Sequence, residues 1–418
     1  MKIVVLKLLW NGEMPISSSN PRKMYILKKR VIIMTLKLSQ RGKHISQSEI
    51  RSMSRECTRL QGINMAQGVC DLPVPKSVLD GAKLAMDSGY NIYTASEGLP
   101  EPRQAIVEKM AQFYKLDVSV NEVLISQGAT GAFYTTAQAL LDEGDEVILL
   151  EPYYGYHAAT LTALGCGLRY VRLDPPEWQL TRELLEHALG NKTRAIMISN
   201  PSNPSGKVFS LAELEMLRDI CVEHDLILFS DEIYEHFIYD GHRHIPPVTL
   251  AGMRERTVTI SGFSKIFSVT GWRLGYVLAP PEVIEVAAQF NDLVYVCAPA
   301  PLQLGVAAGL AELPREFYQE IAREHEEKRN RFCGVLENIG LKPAIPQGSY
   351  YVMADVSAIP GNDDREKALY ILEKIGVASV PGRAFYHDES GRNLVRFCFA
   401  KEFDVLEDAC NRLEKLKI

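Results

Sequence analysis

The chain has 418 residues, of which 46% are hydrophobic and 23% are charged, and its formal net charge is −6. These proportions are those of an ordinary globular protein with one large domain and a smaller companion, or with two to three domains. The net charge gives no electrostatic reason to expect nucleic acid as a partner. No apolar run approaches the roughly 18 residues that a membrane helix needs, so a membrane is not expected either.

The cysteines indicate the cellular compartment of the protein. All eight lack a C-x-x-C partner, and most lie among apolar residues. This usage is typical of reduced core cysteines and predicts a cytoplasmic protein. His242 and His244 have no acid or cysteine at the spacing of a metal site, so no metal is predicted.

The N-terminal segment differs from the rest of the chain. Residues 1–33 contain seven Lys or Arg and a single acid, Glu13. No small-residue cleavage site follows the apolar stretch, so a secretory signal is not expected. We predict that residues 1–33 are a disordered or non-native extension, which would make Met34 the functional start; an organellar transit peptide is the alternative. Residues 34–75 are predicted to be an N-terminal arm that forms part of a small domain.

From about residue 80, short apolar runs alternate with helical segments. The runs are EVLIS (122–126), DEVILLEP (145–152), LRYVRL (168–173), TRAIMISN (193–200), DLILFSDE (225–232), RTVTIS (256–261) and RLGYVLA (273–279). Runs that are apolar throughout and separated by helices favour a mainly parallel sheet covered on both faces. We therefore predict a large α/β domain over residues 76–310.

After about residue 310 the pattern changes. A long charged helical segment occupies 315–340, and the shorter strands SYYVMAD and NLVRFCF follow it. This pattern predicts a small α+β domain over residues 311–418, to which the N-terminal arm returns.

Polar residues follow the predicted strands, where the ligands of such sheets bind. QGAT (127–130) opens a helix whose N-terminus favours phosphate, although a plain strand–helix turn explains it as well. NPSNPSG (200–206) is a stiff loop with two Asn-Pro pairs. Asp231 directly ends an apolar run, either as a buried acid that needs a cation or donor, or as a helix N-cap.

The stretch GFSKIFSVTGWRLG (262–275) ends another strand. Lys265 in a dry cleft suits Schiff-base chemistry, because desolvation lowers the pKa of its amine. A phosphate on the partner aldehyde would meet Arg273, Ser264 and the helix start at 129–130. Asp231 would meet a protonated ring nitrogen. This set of partners matches pyridoxal phosphate.

With these motifs the sequence resembles the fold-type I pyridoxal-phosphate-dependent aminotransferases of class I/II, from about residue 60 to the C-terminus. The motifs occur in the family's order: NIYTASEGLPEPRQAI, SQGATGAF, EPYYGY, NPSNPSGKV, SDEIYEHF, the lysine stretch and NLVRFCFA. The resemblance implies a seven-stranded, mainly parallel sheet in an α/β/α sandwich, with a smaller α+β domain. It also implies amino transfer from an L-amino acid to a 2-oxo acid by a homodimer with shared active sites.

The resemblance implies roles for individual residues. Lys265 forms the Schiff base with the cofactor and moves the proton between substrate Cα and cofactor C4′. Asp231 keeps the pyridine nitrogen protonated, and Tyr234 and Asn203 hydrogen-bond the phenolic oxygen. Tyr154 stacks on the ring, with Tyr153 and Tyr156 as alternatives.

The remaining implied residues bind the phosphate and the substrate. Gly128, Ala129, Thr130, Ser264 and Arg273 belong to the phosphate site, and Tyr93 reaches the phosphate from the other subunit. Arg396 clamps the substrate carboxylate, and Gly68 and Asn203 line the substrate side of the cleft.

At Cys70 the sequence differs from the family members close to this branch, in which proline is common. This segment often contacts the substrate, so the sequence does not determine which substrate binds. RAFY (383–386) and RFCFAKE resemble kynurenine and glutamine aminotransferases and cysteine-conjugate β-lyases. A β-lyase or synthase on the same scaffold is therefore the alternative function. A transcription regulator is disfavoured, because about 60 residues ahead of the domain are too few for a winged helix and a linker. No second arginine is assigned to a distal carboxylate, so neutral or aromatic donors are expected to outperform aspartate.

Overall fold

The structure is a computed structural model that describes Ser39, Gly42 and residues 47–416. The predicted extension over 1–33 lies outside the described residues. The helices of the described part are α1 (Glu49–Leu60), α2 (Lys76–Asp87), α3 (Pro100–Tyr114), α4 (Gly128–Leu140), α5 (Gly155–Leu164), α6 (Arg182–Ala188), α7 (Leu211–Glu223), α8 (Pro281–Tyr295), α9 (Ala300–Glu312), α10 (Arg315–Asn338), α11 (Asp364–Ile375) and α12 (Phe403–Leu413). None of these helices is both long and apolar enough to span a membrane.

The strands alternate with helices along most of the chain. They are β1 (Ile63–Asn64), β2 (Val123–Ser126), β3 (Glu146–Glu151), β4 (Gly167–Arg172), β5 (Thr193–Ser199), β6 (Ile227–Asp231), β7 (Thr257–Gly262), β8 (Gly275–Leu278), β9 (Lys342–Ala344), β10 (Tyr351–Asp355), β11 (Val377–Ala378), β12 (Val380–Pro381) and β13 (Leu394–Cys398).

Seven strands form the large sheet, in the order β2-β8-β7-β6-β5-β3-β4. Strand β8 runs antiparallel to both of its neighbours, β2 and β7, and every other pair of adjacent strands is parallel. Every residue of β6 and β7 is buried, as expected for strands with both faces covered. The predicted mainly parallel sheet is confirmed.

Helices pack on both faces of this sheet. Leu149 of β3 lies in the same buried cluster as Phe133 of α4. Its neighbour Ile148 lies in a second cluster, which includes Leu217 of α7. Because successive side chains of a strand point to opposite faces, the two clusters are the two halves of an α/β/α sandwich.

A second sheet comes from the C-terminal part of the chain. Its four strands are antiparallel in the order β12-β13-β10-β9. Strand β1 pairs separately with β11, with Ile63 opposite Val377. This pairing supports our proposal that the predicted arm over 34–75, of which the structure describes Ser39, Gly42 and residues 47–75, belongs with residues 311–418. The bounds 76–310 of the large domain stay a prediction.

Candidate active site

A cavity of about 530 Å³ lies where β6 and β7 of the large sheet end. Most of the site residues predicted from the sequence line it: Gly68, Ala129, Thr130, Tyr154, Asn203, Asp231, Tyr234, Ser264, Lys265, Arg273 and Arg396. Residues that are far apart in the chain therefore face one space.

Lys265 follows β7 and is half-buried in the cavity wall. Its Nζ donates a hydrogen bond to the carbonyl oxygen of Gly68 at 2.8 Å. Burial is the main reason that the pKa of the Lys265 amine is lowered to about 8, and the nearby guanidinium groups of Arg396 and Arg273 act in the same direction. An amine with such a pKa is neutral in roughly a tenth of molecules at pH 7, so it is available as a nucleophile and base.

Asp231 ends β6, and a histidine holds its carboxylate. Oδ2 lies 3.0 Å from Nε2 of His157, and Oδ1 accepts a hydrogen bond from the Ile233 amide at 3.2 Å. His157 is buried in the first turn of α5 and also lines the cavity. From the sequence, lining the cleft and packing explain His157 equally well; the structure places it in the cavity wall, against Asp231.

Two phenols meet in the same cavity. The hydroxyl oxygens of Tyr234 and Tyr351 lie 3.0 Å apart. Burial raises the pKa of Tyr234 well above its ordinary value and that of Tyr351 to about 12. Both hydroxyls therefore remain protonated at neutral pH and can donate hydrogen bonds. A Cβ atom at Gly68 would lie 1.7 Å from the Tyr351 hydroxyl oxygen, so this approach requires glycine.

The three candidate stacking tyrosines separate in the structure. Tyr154 and Tyr156 both line the cavity, and their rings stack at 5.2 Å. The Tyr153 ring instead stacks on Tyr170 at 5.8 Å. The geometry favours Tyr154 or Tyr156 over Tyr153 for stacking on a planar ligand.

Arg396 lies on β13 and is only 1% exposed. Its Nη1 donates to Oδ1 of Asn203 at 2.8 Å, and its Nη2 donates to the carbonyl oxygen of Ala66 at 2.6 Å. Its Nε is buried without a hydrogen-bond partner. Within residues 47–416 no carboxylate pairs with this guanidinium, and a buried charge without a counter-ion is costly. Arg396 thus fits an anionic ligand.

A second anion site lies at the N-terminus of α4. Arg273 lies beside this helix start, and its Nη1 is 3.5 Å from the Ser264 hydroxyl oxygen. Gly128 has φ +70°, and a Cβ atom there would lie 2.6 Å from Nη2 of Arg273, so only glycine permits this approach. Free amide groups at a helix start, together with a guanidinium, suit phosphate. The Lys265 amine, the Asp231 carboxylate and this anion site together fit pyridoxal phosphate.

Tyr93 is placed differently from the other predicted residues. Its side chain is 79% exposed, and it does not line the cavity. Its assignment to the phosphate of another subunit stays a prediction.

Comparison with known proteins agrees with the geometry. The model of the aminotransferase class I and II family matches residues 61–413. Aspartate aminotransferase of Pyrococcus abyssi is 34% identical over 383 residues, which are 91% of this chain and 98% of the relative. Human kynurenine–oxoglutarate transaminase 3 is 32% identical over 378 residues, 83% of each chain. The structure of N-succinyldiaminopimelate aminotransferase from Mycobacterium tuberculosis has a TM-score of 0.87 and 31% identity, covering 90% of this chain and 99% of that one.

The chain belongs to the class I and II aminotransferases. It is a pyridoxal-phosphate-dependent aminotransferase of fold type I, and the predictions of fold, cofactor and enzyme class are confirmed.

Proposed function

We propose that this aminotransferase takes the amino group from a neutral or aromatic L-amino acid, with Lys265 as the residue that binds the cofactor covalently. The proposal rests on one observation: Lys265, with its lowered pKa of about 8, shares a cavity with Asp231 and Arg396. When bound, pyridoxal phosphate supplies an electron sink for negative charge at substrate Cα.

The chain's own residues orient the reactants and move the proton. Arg396 binds the substrate carboxylate through its fork of N–H donors. Lys265 Nζ, when neutral, accepts the proton from substrate Cα. Asp231 would hold a proton on the ring nitrogen of the bound cofactor, and His157 at 3.0 Å fixes the orientation of that carboxylate.

The other assignments extend this proposal around the cofactor. Tyr234 and Asn203 would donate hydrogen bonds to the phenolic oxygen of the cofactor. Gly128, Ala129, Thr130, Ser264 and Arg273 would hold the phosphate, and either Tyr154 or Tyr156 would stack on the ring.

The walls of the cavity support the donor class. Ile50, Ile233 and the rings of Tyr156 and Tyr351 line it, and such surfaces suit apolar and aromatic side chains. Aromatic-amino-acid aminotransferase 2 of Thermococcus litoralis is 32% identical over 91% of this chain. We extend that relative's donor class to this chain as part of the proposal.

Mixing the enzyme with single amino acids, without any 2-oxo acid acceptor, tests the reaction type. We expect neutral or aromatic donors to release one equivalent of 2-oxo acid per subunit and then stop, because the cofactor retains the amino group. Quantifying the 2-oxo acid by mass spectrometry measures this stoichiometry. Continuous release of pyruvate and ammonia from β-substituted alanines would identify a lyase instead, and a preference for aspartate would contradict the donor class alone.

We propose a two-fold homodimer with shared active sites. An exposed apolar patch, formed by Ile92, Tyr93 and Leu293 with 78%, 79% and 80% exposure, supports it, because large exposed apolar surfaces mark interfaces. The two segments of this patch lie side by side, since Asn291 Nδ2 donates to the carbonyl oxygen of Ser96 at 2.7 Å.

Light scattering is expected to give twice the chain mass of 46.8 kDa. Leu293→Glu should shift the protein towards monomer and lower activity by at least about tenfold, because a charge buried in an interface is costly and Tyr93 would no longer reach a partner's phosphate. Leu211→Glu, on α7 and 48% exposed, is the control. A fully active monomer would contradict the proposal.

We further propose a cytoplasmic location. All eight cysteines are free thiols, and seven of them are buried, which supports a reducing compartment.

A further inference from the structure

Tyr351 of β10 lines the cavity, and the proposed function gives its hydroxyl group no role in the chemistry. The residue is 2% exposed. Its hydroxyl oxygen lies 3.0 Å from that of Tyr234, and its ring centroid lies 4.2 Å from the guanidinium carbon of Arg396. Tyr351 therefore contacts the proposed donor to the phenolic oxygen of the cofactor and the proposed clamp of the substrate carboxylate at the same time.

The Tyr351 ring is held in one orientation. Arg396 covers the ring, and the Tyr350 ring packs against it with the two centroids 4.8 Å apart. Gly68 approaches the hydroxyl end so closely that a Cβ atom there would lie 2.8 Å from Cζ of Tyr351. A ring enclosed in this way keeps its hydroxyl group beside Tyr234, as a positioning role requires.

The pair of hydroxyl groups holds two protons, and one hydrogen bond between them uses only one. Both phenols are protonated at neutral pH, because burial raises the pKa of Tyr351 to about 12 and that of Tyr234 well above its ordinary value. A neutral hydroxyl donates one proton and accepts through its oxygen. The phenol that accepts within the pair therefore keeps its own proton for a third partner.

Nearby charges decide the direction of this hydrogen bond. Against the effect of burial, the positive charge of Arg396 lowers the pKa of Tyr351 by favouring the phenolate form. At Tyr234, the negative charge of Asp231 adds to the effect of burial and raises the pKa further. The more acidic hydroxyl is the stronger donor, so Tyr351 donates and Tyr234 accepts.

We infer that Tyr351 positions the proton of Tyr234: the Tyr351 hydroxyl donates to the Tyr234 oxygen, so that the Tyr234 hydroxyl points at the phenolic oxygen of the cofactor. Tyr351 is thus a positioning residue that acts on the cofactor through Tyr234. The inference rests on the proposed function, in which Tyr234 is the donor to that oxygen. Successive hydrogen bonds in a buried site polarise one another, so this arrangement also strengthens the bond that Tyr234 donates.

The absorbance of the bound cofactor, titrated against pH in the holoenzyme, tests this arrangement. The proton lost in the titration is shared between the Lys265 nitrogen and the phenolic oxygen. Hydrogen bonds donated to that oxygen favour loss of the proton and lower the midpoint pH. Tyr351→Phe removes the hydroxyl and keeps the ring over Arg396. We expect it to raise the midpoint by about half a pH unit, the size of effect that one neutral hydrogen bond produces.

A double variant separates action through Tyr234 from direct action on the cofactor. Tyr234→Phe removes the donor itself and should raise the midpoint by about one pH unit or more. Adding Tyr351→Phe to Tyr234→Phe should then move the midpoint by less than about 0.2 pH units, because the hydroxyl through which Tyr351 acts is already gone. Equal shifts in the two backgrounds, or no shift in Tyr351→Phe alone, would overturn the inference.

Tyr239→Phe is the matched control. Tyr239 is also buried, and its hydroxyl donates to the carbonyl oxygen of Ser349, two residues before Tyr351. It does not line the cavity, so this variant should leave the midpoint unchanged. A shift as large as that in Tyr351→Phe would show a general effect of losing a buried hydroxyl and would overturn the inference.

The same titration separates this inference from the proposed function, because it requires bound cofactor but no amino transfer. A midpoint that stays constant in Tyr234→Phe would refute the assignment of Tyr234 in the proposed function, and the inference with it. A midpoint that moves in Tyr234→Phe but not in Tyr351→Phe would refute the inference alone. The expected shifts in an enzyme that prefers aspartate would support the inference and refute the proposed donor class alone.

Discussion

Replacing Lys265 with alanine is expected to lower kcat by at least about 10³-fold, because the variant loses both the covalent attachment point and the base at substrate Cα. Lys265→Arg should be as inactive, since a guanidinium keeps the charge but cannot act as nucleophile or base at neutral pH. Steady-state kinetics measures the loss. Borohydride reduction of the parent enzyme followed by mass spectrometry should place the cofactor on Lys265.

The exposed Lys192 provides the control, and Lys192→Ala should keep full activity and the adduct. Thermal unfolding of the cofactor-free proteins distinguishes a loss of activity caused by misfolding from one caused by the missing amine. Burial depresses the pKa of Lys265 from 10.5 to about 8, so the charged amine disfavours the folded state below pH 8. Lys265→Ala should be at least as stable as the parent there, with the difference shrinking as the pH rises from 8 towards 10.5. A reduced adduct on another lysine would refute the assignment.

The large sheet was predictable because its strands carry a strong local signal. Strands that are buried on both faces form nearly continuous apolar runs, and the runs at 193–200 and 225–232 correspond to β5 and β6. The strand order was not predictable. The insertion of β8 antiparallel between β2 and β7 depends on pairing between distant segments. The two-residue strands β1 and β11 are too short to leave any periodicity.

The same contrast holds in the site. Asp231 ends one apolar run and Lys265 comes four residues after another, so the sequence alone places both at one edge of the sheet. His157 and Tyr351 come from the start of a helix and from the small sheet. The Tyr234–Tyr351 contact joins residues 117 positions apart, and no local pattern specifies such a meeting. Only the tertiary structure shows that these residues belong to the site.

Asp231→Asn should cause the second largest loss of activity. We expect kcat to fall by about 10²- to 10³-fold, as it does when one preorganised electrostatic partner is removed. The amide is nearly isosteric with the carboxylate but carries no charge to hold a proton on the ring nitrogen. The cofactor should still bind, because Lys265, Arg273 and the start of α4 are unchanged. Absorbance of the bound cofactor measures occupancy, and stopped-flow kinetics of a single half-reaction measures the loss.

Glu232→Gln is the matched control for this variant. Glu232 is the next residue, is 1% exposed and contacts Nε2 of His244 at 2.8 Å, but it does not line the cavity. If the charge at the ring nitrogen matters, neutralising Asp231 slows the half-reaction, whereas neutralising the equally buried acid beside it does not. Equal effects in the two variants would mean that Asp231 acts only on the local fold. Near-normal turnover in Asp231→Asn would mean that Asp231 has only a structural role, as acceptor of the hydrogen bond from the Ile233 amide.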